Sequence, residues 1–312
     1  MAERTVSKRG LLVSAGVVVL LLLVALALRS GHLWALPASP DSGMPSGGVP
    51  RASTSTTPNS PAGRLPSPTA ASPAGPAVND PLTVVALGDS VPSAGSCDCT
   101  GYVERLSASL HRATGRPVTV HNDATGGWTT ADVEKDLTSP STSRHLSNAD
   151  LVIVEVGAND FDLDRVDDPA CLPASTSSCW RSTMSDLRAG LAQIVSDIRT
   201  ADRNPEVHIA VVGYWNVTVD GAVGQSRGDA FVTGSDDLTR AVNSTIARVA
   251  STLNAVYVDA YSPLKGDGSL DPTSALLNDG DHPNAKGHAI IAKAVLDALT
   301  SAGAVAAWTP KR

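Results

Sequence analysis

From Asp80 onward the apolar residues follow two alternating rhythms. Five short, nearly continuous apolar runs rich in β-branched residues occur at Leu82–Leu87, Pro117–His121, Asp150–Val156, Val207–Gly213 and Ala255–Asp259. Runs of this length, bounded by Gly, Pro and Asp, read as strands buried on both faces. Between them the apolar positions recur at helical spacing. Tyr102–Thr114 places Val103, Leu106 and Leu110 on one face, and Thr129–Leu137 reads as a shorter helix opened by a threonine. Ser182–Ala201 aligns Met184, Leu187, Leu191, Ile194 and Ile198, and Ser235–Leu253 aligns Leu238, Val242, Ile246 and Val249. Ala285–Leu299 closes the series. Strand and helix in alternation predict an α/β fold: a three-layer α/β/α sandwich around a five-stranded parallel sheet. No internal repeat is present.

A different pattern precedes Asp80. Arg4, Lys8 and Arg9 lead into an uncharged apolar run, Leu11–Leu28, which Arg29 ends. Its 18 residues just suffice to cross a hydrocarbon core, with the basic flank on the cytoplasmic side. A signal peptide cut after Ala25-Leu26-Ala27 also fits, but that cut falls inside the apolar run, which favours an uncleaved anchor. Pro, Ser, Thr and Gly then fill 27 of the 43 positions from 37 to 79. Such a segment buries too little to offset its own ordering and reads as a linker, on the order of 35 Å long as a coil. The expected organisation is a cytoplasmic N-terminus at 1–9, a membrane anchor at 10–28, a linker at 29–79 and a catalytic domain at 80–312. That domain faces outward from the cell membrane, or is secreted if the anchor is cut.

Charge narrows the partners. Residues 1–79 hold six of the 24 Lys/Arg and two of the 31 Asp/Glu, so residues 80–312 carry 18 against 29, a net of −11. An acidic domain lacks the basic face that nucleic acid or anionic lipid would require. A small-molecule, lipid or carbohydrate substrate and a monomeric state are expected.

In a parallel α/β sheet the chemistry sits beyond the carboxyl ends of the strands. Those ends read Gly88-Asp89-Ser90, Asn122–Trp128, Gly157-Ala158-Asn159-Asp160, Gly213-Tyr214-Trp215-Asn216 and, after a loop, Asp279-Gly280-Asp281-His282-Pro283-Asn284. Nucleophilic hydrolysis needs an activated oxygen, a base held in one tautomer, and donors aimed at the developing oxyanion. Ser90 offers the oxygen and His282 the base. Asp279, three residues before His282 with Gly280 permitting a sharp bend, can reach the far imidazole nitrogen, whereas the adjacent Asp281 diverges. The Ser90 and Gly127 amides and the Asn159 side chain are candidate oxyanion donors.

These blocks, in this order, resemble the SGNH hydrolase family, also called the GDSL esterase/lipase family. The matching residues are Val85–Ser90, then Asn122, Ala124, Gly127 and Thr129, then Gly157, Asn159 and Asp160, then Asp279–Asn284 with Gly287. The resemblance spans Leu82 to about Ala292. It implies a flavodoxin-like fold and a carboxylic ester hydrolase that needs no metal or cofactor. It further implies Ser90 as nucleophile and oxyanion donor, Gly127 and Asn159 as the other donors, His282 as general base and Asp279 as its orienting acid. Val91-Pro92 departs from the residues more usual after the serine. A carbohydrate O-deacetylase and an acyl-thioesterase belong to the same resemblance.

Other classes fit less well. An α/β-hydrolase would need a second glycine after the serine and a wide acid-to-histidine spacing. A metal-dependent phosphoesterase could use Asp89, Asp160, Asp279, Asp281 and His282, but one histidine among so many carboxylates suits a two-metal site poorly. A non-catalytic wall-binding module leaves the assembled catalytic set unexplained. Cys97, Cys99, Cys171 and Cys179 read as disulfide formers in an exported domain, with three connectivities open. Trp128, Phe161, Tyr214 and Trp215 are candidates for an acyl pocket or for ordinary packing. His121 and His288 read as structural. Asn216-Val217-Thr218 and Asn243-Ser244-Thr245 match the N-glycosylation sequon.

Overall fold

The first apolar run forms β1 (Leu82–Gly88), followed by a one-turn helix α1 (Ser90–Ser93), α2 (Tyr102–Thr114) and β2 (Val118–Asn122). The chain continues through α3 (Thr130–Leu137), α4 (Pro140–Leu146), β3 (Leu151–Glu155), α5 (Arg181–Ala201) and β4 (His208–Val212). It ends with α6 (Gly221–Ser226), α7 (Asp229–Thr252), β5 (Val256–Val258), α8 (Tyr261–Lys265), α9 (Ala285–Ser301) and α10 (Ala304–Trp308). This computed structural model describes residues 80–310. The anchor and linker expected at 10–28 and 29–79 lie outside the described residues. Among the described residues no helix is long and apolar enough to cross a membrane.

All five strands are parallel, in the order β2-β1-β3-β4-β5. Alternate residues of β1 point to opposite faces, as a strand's period of two demands. Val85 and Leu87 join a core with Val133 of α3, Leu187, Leu191 and Ile194 of α5, and Leu238, Val242 and Ile246 of α7. Val84 and Ala86 join a second core with Val103, Leu106 and Leu110 of α2 and Ile291, Val295 and Leu299 of α9. Two cores on two faces make the expected three layers. The chain leaves β1 for β2 on one side and returns to β3 on the other, so the strand order reverses at β1/β3. A crevice opens at such a point, beyond the strands' carboxyl ends.

Helix ends follow local chemistry. Thr129 and Asp132 form a reciprocal capping box on α3, and Asn284 caps α9 by accepting from the Lys286 and Gly287 amides. The structure adds α4, where Ser139 caps and Pro140 occupies the first turn; its Ser/Thr-rich sequence has no apolar stripe to announce it. Helix α7 starts at Asp229, six residues before the expected Ser235. Burial of Phe231 there outweighs the poor helix propensity of the Val-Thr-Gly that follows.

Candidate active site

Ser90 is placed by its neighbours. The Asp89 carboxylate accepts from the Val91 amide at 3.1 Å, capping α1 and setting Ser90, half-buried, at its first turn. The Asp89 amide donates to the Glu155 carbonyl at 3.0 Å, which ties this turn to the end of β3. Beyond β2 the ladder to β1 continues: the Asp123 and Thr125 amides donate to the Ala86 and Gly88 carbonyls. That brings the glycine pair alongside Ser90. A methyl group on Gly126 would stand 3.7 Å from the Ser90 Cβ, and Gly127 follows with a φ of +84°.

Asn159 lies in a 3₁₀ turn, Ala158–Asp160, directly after β3. Its Nδ2 donates to the Trp128 carbonyl at 3.0 Å, leaving its second N–H for another acceptor. Asp160 accepts from the Thr130 hydroxyl at 2.5 Å and amide at 3.1 Å. These bonds lash the Asn159 turn to the segment that follows Gly127.

The His282 loop is a tight hairpin. Leu276 bridges Pro283, and the Leu277 amide donates to the His282 carbonyl at 2.8 Å. Gly280, at φ +71°, makes the bend; a Cβ there would lie 2.6 Å from the Val223 Cβ and 2.8 Å from the Asp220 carbonyl oxygen. Oδ1 of Asp279 accepts from the amides of Asp281 (2.9 Å) and His282 (3.0 Å), and its Oδ2 lies 2.9 Å from His282 Nδ1. The nearest Asp281 oxygen is 3.9 Å from the same nitrogen. An ionised carboxylate only accepts, so Nδ1 carries the proton and Nε2 is left basic. Burial pushes the Asp279 carboxyl up, but the two amides and the imidazole outweigh it and hold it below its ordinary value. Burial raises Asp281, with the Asp279 charge adding to it against the pull of His282.

Beneath the serine lies a buried acidic pair. Burial pushes the Asp89 carboxyl up to about 6, against hydrogen bonds from Tyr214 and Val91 that lower it; Asp281 and His282 also act on it. Asp281, the neighbour of His282, lines the same cavity as Asp89 and Ser90, which brings the histidine loop to the serine. Glu155 is fully buried and raised well above its usual range by burial and by the Asp89 charge. The sequence signal for Glu155 was a single charge at the end of an otherwise apolar strand. That signal by itself gives the residue no role.

An open cavity of about 220 Å³ borders Ser90 and Asn159. Phe161, Leu163, Val217 and Val219 give it apolar wall, and Arg227 and Asp281 give it charge. Of the four aromatic candidates, Phe161 fits a wall position. Trp128 does not line this cavity and packs against the α3/α5/α7 core instead. Tyr214 and Trp215 border it but are 1% and 0% exposed. The Trp215 ring belongs to the core on the opposite sheet face, because successive residues of an extended chain diverge. Both sequon asparagines are also corrected: Asn216 and Asn243 are buried and hydrogen-bonded, so neither amide presents a glycan site. Two disulfides form, Cys97–Cys99 and Cys171–Cys179, the local pairing among the three open ones. The second closes the loop whose Trp180 donates to the Cys171 carbonyl and packs 6.0 Å from the Phe161 ring.

Three of the four carboxylates that could serve as metal ligands have other partners: Asp89 takes Val91 and Tyr214, Asp160 takes Thr130, and Asp279 takes His282. Among the described residues the His/Cys/Asp/Glu group with ligand atoms close together is Cys97, Cys99 and His288, and its two sulfurs are bonded to each other.

Solved structures share this fold. The lipase Lip_vut3 from a goat rumen metagenome superposes with a TM-score of 0.57 at 16% identity, covering 70% of this chain and 97% of its own. A catalytic mutant of Axe2, an acetylxylan esterase from Geobacillus stearothermophilus, gives 0.51 at 17%, covering 75% and 99%. A protein described as a GDSL-like lipase, from Parabacteroides merdae, gives 0.51 at 16%, covering 72% and 99%. No curated protein matches the chain. The model of the GDSL-like Lipase/Acylhydrolase family matches residues 86–290, which takes in the serine turn, the asparagine turn and the histidine loop, and the chain belongs to that family of carboxylic ester hydrolases.

Proposed function

We propose that the domain hydrolyses short or mid-length acyl esters through a covalent acyl-enzyme on Ser90, on the outer side of the cytoplasmic membrane. His282 Nε2 takes the Ser90 proton as Oγ attacks the ester carbonyl. The oxyanion is held by the amides of Ser90 and Gly127 and by the second N–H of Asn159. His282 returns the proton to the leaving alcohol, then activates the water that releases the acid. Asp279 keeps the imidazole in the productive tautomer. The observation that carries this reading is the Asp279–His282 pair, 2.9 Å apart in a hairpin whose Asp281 lines the same cavity as Ser90 and Asn159.

Cavity size supports the acyl length. About 220 Å³ is below the ~300 Å³ at which drug-sized ligand pockets begin, which suits a short acyl group better than a long one. The same size favours an acetyl group, which gives a carbohydrate O-deacetylase as the second reading; an acetylxylan esterase is among the structures of like fold. Export is supported by the basic flank and apolar run of the N-terminus.

The test uses purified protein and p-nitrophenyl esters of graded chain length, alongside acetylated xylo-oligosaccharides. Expected are activity that falls with acyl length, survival in EDTA, and phosphonate labelling at Ser90. Loss on chelation with recovery on adding a divalent ion would overturn the serine mechanism. Acetate release from the oligosaccharide at rates above the aryl ester would establish the second reading.

A further inference from the structure

Tyr214 touches no reacting atom, yet its hydroxyl meets both halves of the site. Its Oη donates to Asp89 Oδ2 at 2.6 Å and accepts from the Ala158 amide at 3.4 Å. Asp89 is the residue before Ser90, and Ala158 is the residue before Asn159. One buried hydroxyl therefore joins the turn after β1 to the turn after β3, across the point where the strand order reverses.

The tyrosine is itself held from the far side. Asn243, on α7 and 7% exposed, accepts from the Tyr214 amide at 2.8 Å and donates to the Tyr214 carbonyl at 2.7 Å. A side-chain amide thus satisfies both main-chain groups of a residue just past the end of β4, where no ladder partner continues. Gly213 permits the approach: a Cβ there would lie 2.7 Å from the Asn243 Oδ1. The same residue that matched a glycosylation sequon is committed to this clamp.

We propose that Asn243 and Tyr214 form a positioning relay that sets the spacing between the Ser90 nucleophile and the Asn159 oxyanion donor. The relay rests on the reading of Ser90 and Asn159 given above. Its logic is mechanical. The two turns follow different strands: the Asp89 amide reaches only the end of β3, at the Glu155 carbonyl, and the Asn159 turn is tied to Trp128 and Thr130. The Tyr214 hydroxyl bonds both, so its removal lets each turn relax separately. Catalysis is sensitive to sub-ångström misplacement of such groups, whereas binding of the neutral ester is not.

The test replaces Tyr214 by Phe in the full chain, which keeps the ring and deletes the bridge. Turnover is measured per active site, titrated with a phosphonate, so that loss of folded protein does not count. Tyr214→Phe should lower kcat at least ten-fold with KM within two-fold. The affinity of phenylboronic acid, which becomes tetrahedral on the serine oxygen, should weaken by a similar factor. Asp89→Ala removes the same bond from the other side, so the Tyr214→Phe/Asp89→Ala pair should be no slower than the slower single variant, within two-fold. A titrated Tyr214→Phe with kcat and boronate affinity within two-fold of wild type overturns the relay. If Tyr214→Phe yields too little folded protein, Asn243→Asp takes its place: it keeps an acceptor for the Tyr214 amide and removes the donor to the carbonyl. A loss of at least three-fold in kcat at unchanged KM supports the relay, and unchanged kcat overturns it. Wild type and Ser90→Ala are run beside these. An active Ser90→Ala would overturn the proposed function, whereas an inactive one beside a normal Tyr214→Phe overturns the relay alone.

Discussion

Replacing Asp279 by Asn tests the proposed mechanism at its most constrained point. Both Asp279 oxygens are committed. Oδ1 accepts from the amides of Asp281 and His282, and Oδ2 faces His282 Nδ1. In the variant the two backbone donors still demand an acceptor, so the amide oxygen takes the Oδ1 position. The NH₂ group is then forced toward Nδ1. Two donors cannot face each other, and the imidazole responds by moving its proton to Nε2. That nitrogen, the one assigned to Ser90, can then no longer accept. A comparable change in a buried serine-protease triad costs about 10⁴ in kcat. The Asp279 side chain is 45% exposed, so water can partly stand in for the lost acceptor. The expected loss is therefore about 10² to 10³. Asp281→Asn should stay within about five-fold, because its carboxylate is 3.9 Å from the ring and outside hydrogen-bond range. The assay is kcat on p-nitrophenyl acetate at the pH optimum, with the fold checked by circular dichroism. An Asp279→Asn enzyme within ten-fold of wild type, or an inactive Asp281→Asn beside it, would refute this reasoning.

Four further predictions follow from other parts of the chain. Asn159→Ala removes one oxyanion donor and should lower kcat by roughly 10² to 10³; a folded variant with near-normal kcat would take Asn159 out of the mechanism. Asp89 titrates near 6 when folded against about 4 when unfolded, so the folded state holds the extra proton between those values and stability falls as pH rises through that window. The loss is about 3 kcal/mol at most, present in full above pH 6, and Glu155 adds to it with the same sign. Asp89→Asn should abolish the Asp89 part, so the stability difference between variant and wild type should shift toward the variant from pH 4 to pH 7; a pH-independent difference in denaturant melts would disprove it. Thiol labelling of the native protein should find no reactive cysteine, and cell fractionation should find none of the full chain soluble in the cytoplasm; four labelled thiols or a cytoplasmic pool would contradict the disulfide and export readings respectively.

Much of this molecule was legible in the order of its residues, because strand and helix periodicities are local. The five apolar runs became five strands with ends shifted by at most one residue. The residues at their carboxyl ends were legible too, since a parallel sheet collects them at one edge whatever the helices do. The placement of Asp279 rather than Asp281 beside His282 followed from a three-residue turn through glycine, again a local matter. Tertiary packing decided the rest. No spacing in the sequence said that Tyr214 would turn its hydroxyl beneath Asp89 while Trp215 entered the opposite core, because that depends on where β4 ends against its neighbours. Nor could two Asn-X-Thr triplets reveal that both asparagines would be buried. A surface motif and a buried clamp share the same letters, and burial is a property of what the rest of the chain places around them. The raised carboxyls of Asp89 and Glu155 have the same origin. Each acid is ordinary in isolation. Only the meeting of β1 and β3 removes water from both and brings their charges together.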